Sequence, residues 1–211
     1  MESVWNAIAR HISDVTGAPF ATRAQQAVGG GCINAATVLQ DGKRSYFVKL
    51  NNAARLAMFE AEAEGLTEIA GTQSVRVPQP ICAGIADGSA YLVLEYLELV
   101  GADARSLEQL GHELALMHHS THKHFGWQRD NTIGSTPQIN TPANDWIEFW
   151  RQQRLGFQLR LAGDRNLMNK GERLMANLEN FFRDYRPAPS LLHGDLWSGN
   201  VATCGGRPVI F

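Results

Sequence analysis

The hydrophobic residues at the start of the chain recur every three or four positions, which is the spacing of a helix that buries one face. They are Val4, Trp5, Ile8, Ile12 and Val15. Gly17 follows them, and glycine is the most common residue where a helix ends in the left-handed conformation. This pattern predicts a first helix that ends just before Gly17.

Short apolar runs separated by turn residues come next, and such runs are typical of antiparallel strands. They cover residues 20–28, 33–40, 45–50, 81–86 and 91–95. The dipeptide Asp-Gly stands between two of these runs at 41–42 and again at 87–88, which is a strong hairpin signal. Phe59 and Leu66 have helical spacing inside the segment 53–70. We therefore expect a small five-stranded antiparallel sheet with one helix inserted after its third strand.

Helical spacing dominates the second half of the chain. It begins with Leu107, Leu110, Leu114 and Met117, which predict a buried helix face. Ser106 followed by Gln109 resembles a capping box that would start this helix. Further helices are predicted over about residues 145–162 and 171–185, after a long polar connection. The predicted fold class is α+β, with a β lobe over residues 1–96 and an α-rich lobe over residues 97–211.

The composition agrees with a folded protein, because 44% of the 211 residues are hydrophobic and 19% are charged. The net charge of −2 gives no electrostatic reason to expect nucleic acid or an anionic membrane as a partner. The first residues lack the pattern of a secretory signal, and no apolar run is long enough to span a bilayer. The three cysteines lie far apart, which favours a reducing compartment and a cytoplasmic protein.

The segment 193–200 carries the strongest chemical signal in the sequence. His193, Asp195 and Asn200 fit the pattern H-x-D-x-x-x-x-N of phosphoryl-transfer enzymes. In that pattern the aspartate orients or deprotonates the acceptor hydroxyl, and the asparagine binds Mg²⁺. An ordinary surface turn would also use Asp, Gly and Asn, but it would not require the full motif.

Two further features fit a binding site for nucleotide phosphates. Gly29-Gly30-Gly31 lies between the first two predicted strands, where backbone amides can approach a phosphate, although an ordinary tight turn has the same composition. Lys49 lies in the third predicted strand, and it is either a solvated surface residue or a lysine that binds phosphates. Glu62 lies between Phe59 and Leu66 on the inner face of the next helix. An inward carboxylate needs a partner, so we expect Glu62 to pair with Lys49.

Several motifs together resemble the fructosamine kinase (ketosamine-3-kinase) family. They are Gly29-Gly30-Gly31-Cys32-Ile33-Asn34, the segments 59–66 and 130–138, Asp145-Trp146, Phe149-Trp150 and the motif 193–200. Trp197 and the segment 130–135 are the most specific parts, and the resemblance extends from about Val4 to Phe211. It implies a protein-kinase-like two-lobed fold that uses ATP and Mg²⁺. The implied reaction phosphorylates the 3-hydroxyl of ketoamines, which are adducts of sugars with amines, as a step that leads to deglycation.

The resemblance also implies roles for individual residues. Asp195 would be the catalytic carboxylate and Asn200 a Mg²⁺ ligand. Nucleotide binding would involve Gly29, Gly30, Gly31, Cys32, Ile33, Asn34, Lys49 and Glu62, with Glu95, Tyr96 and Leu97 as the adenine-binding linker. The sugar-amine site would involve Trp197, Asp130, Asn131 and His193.

Cys32 has two interpretations. A single cysteine in a loop is most often a small neutral filler. The resemblance implies instead a redox-sensitive thiol that forms a disulfide-linked homodimer. Exposure beside phosphate-binding amides would favour the thiolate form that such chemistry needs.

Three other interpretations stay open at this point. A related aminoglycoside- or choline-type kinase would share the pattern at 193–200, although not together with Trp197 and the segment 130–134. The kinase pattern also expects a second metal-binding aspartate about a dozen residues after the loop asparagine, and Phe211 is 11 positions after Asn200. We therefore expect an incomplete larger lobe and little activity from the 211-residue chain alone, which would make it an impaired nucleotide-binding fragment. A purely structural interaction module would not need these polar motifs.

Overall fold

A computed structural model describes residues 3–29 and 34–211. The chain forms two compact units. The first unit comprises residues 1–117 and 193–211, and the second comprises residues 118–192. The sequence predicted a nucleotide-binding lobe over residues 1–96 and a catalytic and substrate-binding lobe over residues 97–211. This division of functions stays a prediction.

The first unit contains a five-stranded antiparallel sheet, as predicted. Its strands are β1 (Ala24–Val28), β2 (Ala35–Gln40), β3 (Ser45–Asn52), β4 (Pro80–Ala86) and β5 (Ser89–Glu95), in the order β1-β2-β3-β5-β4. The first strand begins four residues later than the run of apolar residues suggested. Phe20 does not pair with a neighbouring strand, because its ring is buried against the ring of Tyr46 at a centroid distance of 5.0 Å.

Helix α1 (Val4–Thr16) covers one face of this sheet. Ser3 starts the helix by accepting a hydrogen bond from the amide of Asn6, and Gly17 ends it with a φ of 67°. Ile8 and Ile12 are fully buried in a core formed with the sheet. Because the complete burial of one such side chain contributes about 1.5–3 kcal/mol, this face accounts for the position of α1.

Helix α2 (Leu56–Gly71) follows a 3₁₀ turn over Ala53–Arg55 and agrees with the helix predicted over 53–70. Asn52 caps the turn, since its side-chain oxygen accepts a hydrogen bond from the amide of Ala54. Phe59, Ala61, Leu66 and Ile69 are the buried residues of α2. Their arrangement leaves Glu62 beside β3.

Helix α3 (Ala104–His118) begins two residues before the predicted start, and its capping residue is Asp103 rather than Ser106. The Asp103 carboxylate accepts a hydrogen bond from the Ser106 amide, and the Ser106 hydroxyl accepts one from the Asp103 amide, both at 2.8 Å. The buried face is rotated accordingly. Leu107, which was predicted to be buried, is 50% exposed, while Glu113 is buried.

A short hairpin completes the first unit. It consists of β8 (Val201–Cys204) and β9 (Arg207–Ile210), which follow the motif 193–200. Thr203 exchanges backbone hydrogen bonds with Val100, and the amide of Ile210 donates to the carbonyl of Arg76 at 3.0 Å. The hairpin is thereby joined both to the segment before β4 and to the segment after β5.

The second unit is built from a small hairpin and short helices. The elements are β6 (Asn131–Ile133), β7 (Thr136–Gln138), α4 (Trp146–Phe149), a π-helix (Trp150–Leu155), α5 (Gly156–Ala162), α6 (Arg165–Met175) and α7 (Leu178–Phe181). The prediction of one helix over 171–185 was wrong. The side chain of Asp164 caps the start of α6. Gly171 lies inside this helix at a point with no room for a side chain, because a β-carbon there would overlap Leu159.

None of the helices within residues 3–29 and 34–211 combines the length and the hydropathy needed to cross a bilayer.

Candidate active site

The motif 193–200 forms a tight loop that its last residue, Asn200, closes through hydrogen bonds to Trp197 and Asp195. The amide of Asn200 donates to the carbonyl of Trp197 at 2.9 Å, which closes a 3₁₀ turn over Ser198–Asn200. The side-chain nitrogen of Asn200 donates to the backbone oxygen of Asp195 at 2.8 Å and contacts its carboxylate at 3.3 Å. Asp195 is exposed, so its carboxylate can receive a hydroxyl group from solution.

His193 lies at the start of this loop and is half-buried. Burial lowers the pKa of His193 below its ordinary value, and the charge of Asp195 opposes this shift. Its Nδ1 atom lies 3.4 Å from the amide of Asp195, which can donate to it when that nitrogen is unprotonated. A neutral imidazole at this position therefore supports the backbone that precedes the carboxylate.

Lys49 and Glu62 form the ion pair that the sequence predicted. The Lys49 Nζ atom lies 2.6 Å from Glu62 Oε1. Lys49 stands on β3 opposite Leu92 of β5, while Glu62 projects from α2. Both side chains are about a quarter exposed, so the ammonium keeps access to a ligand. A lysine ammonium has three donors, and the pair uses only one of them.

The glycine segment precedes β2 and Lys49 in the chain, and its two ends, Gly29 and Asn34, are among the described residues. Gly30, Gly31, Cys32 and Ile33 lie outside the described residues. Asn34, at the far end, accepts a hydrogen bond of 2.7 Å from the side chain of Asn51. This bond ties the end of the segment to β3, two residues beyond Lys49.

The predicted disulfide-linked homodimer depends on Cys32, and it stays a prediction because that residue is not described. The other two cysteines are free thiols, and no disulfide is present in the described part of the chain. Burial raises the pKa of Cys82 to about 12, which keeps that thiol protonated and unreactive at neutral pH.

The predicted adenine linker begins with Glu95, whose carboxylate is hydrogen-bonded to other groups of the protein. Glu95 Oε1 accepts from Arg76 Nη2 at 2.5 Å, and Glu95 Oε2 accepts from the amide of Gln79 at 3.2 Å. Tyr96 and Leu97 follow, with Tyr96 exposed and Leu97 half-buried. The backbone amide of Glu95 also donates to the carbonyl of Gln79 at 2.8 Å, so both the side chain and the amide of Glu95 are bonded within the protein. That residues 95–97 contact adenine stays a prediction. Sequence reasoning missed Arg76, although its position between the buried residues Val75 and Val77 was a signal.

Trp197 presents most of its indole to solvent, with 61% of the residue exposed. The ring lies against the backbone of Gly199, where a β-carbon would overlap it. Sequence reasoning treated Gly199 only as part of the motif. The structure gives it a specific task, because the missing side chain makes room for the indole.

Asp130 and Asn131 lie in the second unit and hold its hairpin together. Asp130 accepts a hydrogen bond from the amide of Asn140 at 2.8 Å, and Asn131 accepts one from the Asn140 side chain at 2.9 Å. Asn140 is buried, and its side-chain oxygen accepts from Arg154 at 2.7 Å. Burial lowers the pKa of Arg154, while the charge of Asp130 opposes the shift. That Asp130 and Asn131 also line the substrate cleft stays a prediction.

The side chains of Asp195 and Asn200 are suited to a magnesium ion. Both offer oxygen atoms, which are the ligands that Mg²⁺ prefers, and Mg²⁺ in kinases is commonly held by one or two protein groups together with substrate phosphates. Asn200 uses its nitrogen for the bond to Asp195, so its amide oxygen stays available. No cluster of three or more His, Cys, Asp or Glu side chains with metal-binding geometry occurs among residues 3–29 and 34–211.

Both the sequence and the fold are similar to those of known proteins. The family model for fructosamine kinase matches residues 4–211. A probable ketoamine kinase from Synechocystis sp. is 46% identical over 210 residues, which are 98% of this chain and 71% of that protein. A chloroplastic protein-ribulosamine 3-kinase from Arabidopsis thaliana is 48% identical over 182 residues, which are 83% of this chain and 56% of that protein. The chain thus spans between about half and about three-quarters of the length of these relatives.

A solved structure shows the same fold. The crystal structure of a putative fructosamine-3-kinase from Haemophilus somnus matches 98% of this chain and 70% of its own chain, with a TM-score of 0.87 and 24% sequence identity. This likeness confirms the predicted kinase-like fold class.

Proposed function

Because the chain belongs to the fructosamine kinase family, we propose that it takes part in transferring the γ-phosphoryl group of ATP to the 3-hydroxyl of a ketoamine. The observation that carries this proposal is the geometry of Asp195 and Asn200. The exposed carboxylate of Asp195 lies 3.3 Å from the side-chain nitrogen of Asn200 within a motif of phosphoryl-transfer enzymes. The names of the two relatives, a ketoamine kinase and a protein-ribulosamine 3-kinase, support the ketoamine as acceptor.

Asp195 is the group that receives the acceptor hydroxyl. Its carboxylate accepts the hydrogen bond of the 3-hydroxyl and orients the oxygen lone pair toward the phosphorus atom. Because the loop is closed by Asn200, the carboxylate does not need to be reorganised when the substrate binds. Phosphoryl transfer requires little covalent help from a protein, so this positioning is the main contribution.

The nucleotide is held by the first unit. Lys49 donates to phosphate oxygens, and Glu62 keeps its ammonium in place. The backbone between Gly29 and Asn34, which includes Gly30, Gly31, Cys32 and Ile33, covers the phosphates. The carbonyl of Glu95 and the backbone of Tyr96 and Leu97 offer hydrogen-bonding groups to the adenine edge.

Magnesium would be held by Asn200 Oδ1 together with the phosphates. When it is bound, the ion neutralises charge on the phosphoryl oxygens. The protein supplies a rigid support for that ion, because the amide of Phe211 donates to the carbonyl of Asn200 at 3.2 Å.

The ketoamine is recognised by the exposed indole of Trp197. A sugar ring can pack its apolar face on an indole, and Gly199 keeps the indole in place. His193 contributes a polar group to the same substrate. The ketoamine is either a free amine adduct or one borne on a protein.

Two subsidiary inferences belong to this proposal. We place the enzyme in the cytoplasm, as its cysteine usage suggests, although the relative from Arabidopsis thaliana is a chloroplastic protein. Oxidation of Cys32 to a disulfide between two copies would regulate it. Comparing gel mobility and nucleotide affinity with and without dithiothreitol tests that regulation.

The proposed reaction is tested by measuring ADP release with a panel of acceptors. The panel contains a ribulosamine, a fructosamine and an aminoglycoside, and the product is located by phosphorus NMR. Since the chain spans 71% of the Synechocystis relative, the assay uses the 211-residue chain beside an extended chain, in which Phe211 is joined to the part of that relative that follows the matched region. Phosphorylation of a ketoamine at its 3-hydroxyl by the extended chain supports the proposal.

The same panel separates the rival functions. Phosphorylation of the aminoglycoside alone would replace the proposal with an antibiotic kinase. Nucleotide binding without any phosphorylation by either chain would replace it with a non-catalytic nucleotide-binding role. Asp195→Asn in the extended chain is the control that assigns the activity to this site.

A further inference from the structure

We infer that Arg76 is a positioning residue that holds the adenine linker and the metal-binding loop in one fixed arrangement. This inference rests on the proposed function, because it concerns the same nucleotide site. Arg76 lies before β4 and belongs to none of the motifs of the sequence. It nevertheless bonds to the linker through its side chain and to β9 through its backbone.

The side chain of Arg76 determines the position of the linker. Its Nη2 atom donates to Glu95 at 2.5 Å, and its Nη1 atom donates to the carbonyl of Val77 at 2.7 Å. The second carboxylate oxygen of Glu95 accepts from the amide of Gln79. Glu95 is the first residue of the linker, so this set of bonds fixes the point where the chain leaves β5.

The backbone of Arg76 reaches the other end of the site. Its carbonyl accepts a hydrogen bond from the amide of Ile210 at 3.0 Å, and Arg76 forms a parallel β-bridge with Val209. Val209 and Ile210 are fully buried, so β9 cannot shift without disturbing the core. The next residue, Phe211, donates its amide to the carbonyl of Asn200.

These contacts form a continuous connection from the linker carboxylate to the metal-binding asparagine. Glu95 is bound to Arg76, Arg76 to β9, and β9 to Asn200. A nucleotide that contacts the linker through its adenine and Asn200 through Mg²⁺ therefore meets two groups with a fixed separation. Fixed separation favours a ligand that makes both contacts at once, because the protein loses less freedom when it binds.

The arginine is suited to this task by its shape. A guanidinium is planar and donates in two directions, to Val77 and to Glu95, whereas a lysine ammonium could not reproduce that fork. The pair is about one-third exposed at each side chain, and ion pairs in such places add little to stability. Positioning explains the elaborate bonding of Arg76 better than stability does.

The test measures how much Mg²⁺ strengthens the binding of AMP-PNP, by calorimetry on the extended chain with Mg²⁺ and with EDTA. The ratio of the two dissociation constants reports the joint use of the linker and the metal-binding loop. In Arg76→Ala and in Glu95→Gln we expect this ratio to fall by about fivefold or more, the lower range of measured couplings between sites. The double variant should show no further loss, and Arg76→Lys should lie between Arg76→Ala and the parent chain.

Arg44→Ala is the matched control. Arg44 forms an ion pair with Asp41 at 2.8 Å in the same unit and is 32% exposed, close to the 31% of Arg76. Its removal should leave the Mg²⁺ ratio unchanged, with at most a small effect on the melting temperature. A merely structural role for Arg76 would give that same result in Arg76→Ala, and it would overturn the inference.

The proposed function and the inference fail in different ways. If the parent chain binds no AMP-PNP under either condition, both are overturned. If it binds AMP-PNP equally with Mg²⁺ and with EDTA, the inference is overturned. If the parent binds with a clear Mg²⁺ effect and the Arg76 and Glu95 variants keep the full ratio, only the inference is overturned. Should Arg76→Ala fail to fold, Glu95→Gln decides the matter, since it removes one charge at nearly constant shape.

Discussion

The side-chain nitrogen of Asn200 lies 2.8 Å from the backbone oxygen of Asp195 and 3.3 Å from its carboxylate. This relationship means that the proposed catalytic group and the proposed metal ligand move as one. A change at either residue should therefore affect both hydroxyl orientation and metal binding, although to different degrees.

Asp195→Asn in the extended chain should lower the rate of ketoamine phosphorylation by about 10²–10⁴-fold, the range of general-base contributions. Affinity for AMP-PNP without Mg²⁺ should not change, because the carboxylate does not contact the adenine or Lys49. Asn200→Ala should reduce both the rate and the Mg²⁺ effect on binding. Steady-state kinetics and calorimetry check these outcomes, and full activity in Asp195→Asn would contradict the assigned role.

Lys49→Met should weaken AMP-PNP binding by about tenfold, which is the effect of losing one hydrogen bond to a charged group. Glu62→Gln should have a smaller effect in the same direction, because the ammonium remains but loses its support at 2.6 Å. Lys43→Met provides the control, since Lys43 lies in the turn between β2 and β3. Equal affinity in Lys49→Met and Lys43→Met would exclude Lys49 from phosphate binding.

Gly199→Ala should displace the indole of Trp197, since the new methyl group would overlap its ring. We expect a higher KM for the ketoamine in the extended chain, an unchanged affinity for AMP-PNP, and a shift in tryptophan fluorescence. Gly101→Ala is the matched control, because a β-carbon at Gly101 would meet no atom within 4 Å. An unchanged KM in Gly199→Ala would mean that the position of the indole does not matter to the substrate.

Local signals predicted much of the first unit. Asp-Gly turns marked the hairpins, and the alternation of short apolar runs gave the five strands. The pairing of Glu62 with Lys49 followed from helix geometry, because only one face of α2 can meet the sheet. These features depend on residues that are near one another in the chain.

The features that were missed depend on distant partners. Arg76 is bonded to Glu95 and to Ile210, and no local pattern relates these three positions. Gly171 was the predicted start of a helix, yet it lies within α6. A glycine is needed there because Leu159 of the preceding helix leaves no room for a β-carbon. Contacts between residues that are distant in the chain cannot be predicted from the local patterns of a single sequence.

Asp41 leads to a prediction about acid stability. Hydrogen bonds from the amides of Arg44 and Lys43 lower the pKa of Asp41 from 3.8 to about 2. A carboxyl whose pKa is lower in the folded state stabilises the fold above its ordinary pKa, and this contribution is lost as the pH falls through the lowered value. Asp41→Asn should therefore lower the melting temperature at neutral pH but not below about pH 2, and Asp87→Asn serves as the turn-matched control. A melting-temperature difference that is independent of pH would contradict the assignment.

Asn140 should be the most sensitive polar residue of the second unit. It is 3% exposed, and its side chain links Asn131 to Arg154, with bonds of 2.9 and 2.7 Å. Asn140→Ala would leave buried donors and acceptors without partners, each of which costs about 1–3 kcal/mol, so we expect a clear loss in the free energy of unfolding.

Asn144→Ala is the control, because Asn144 is exposed and bonded to His124 alone among the contacts described for it. Amide hydrogen exchange should locate the Asn140→Ala loss in residues 118–192, while AMP-PNP binding by the first unit stays intact. Loss of nucleotide binding together with this local unfolding would show instead that the two units depend on each other for stability.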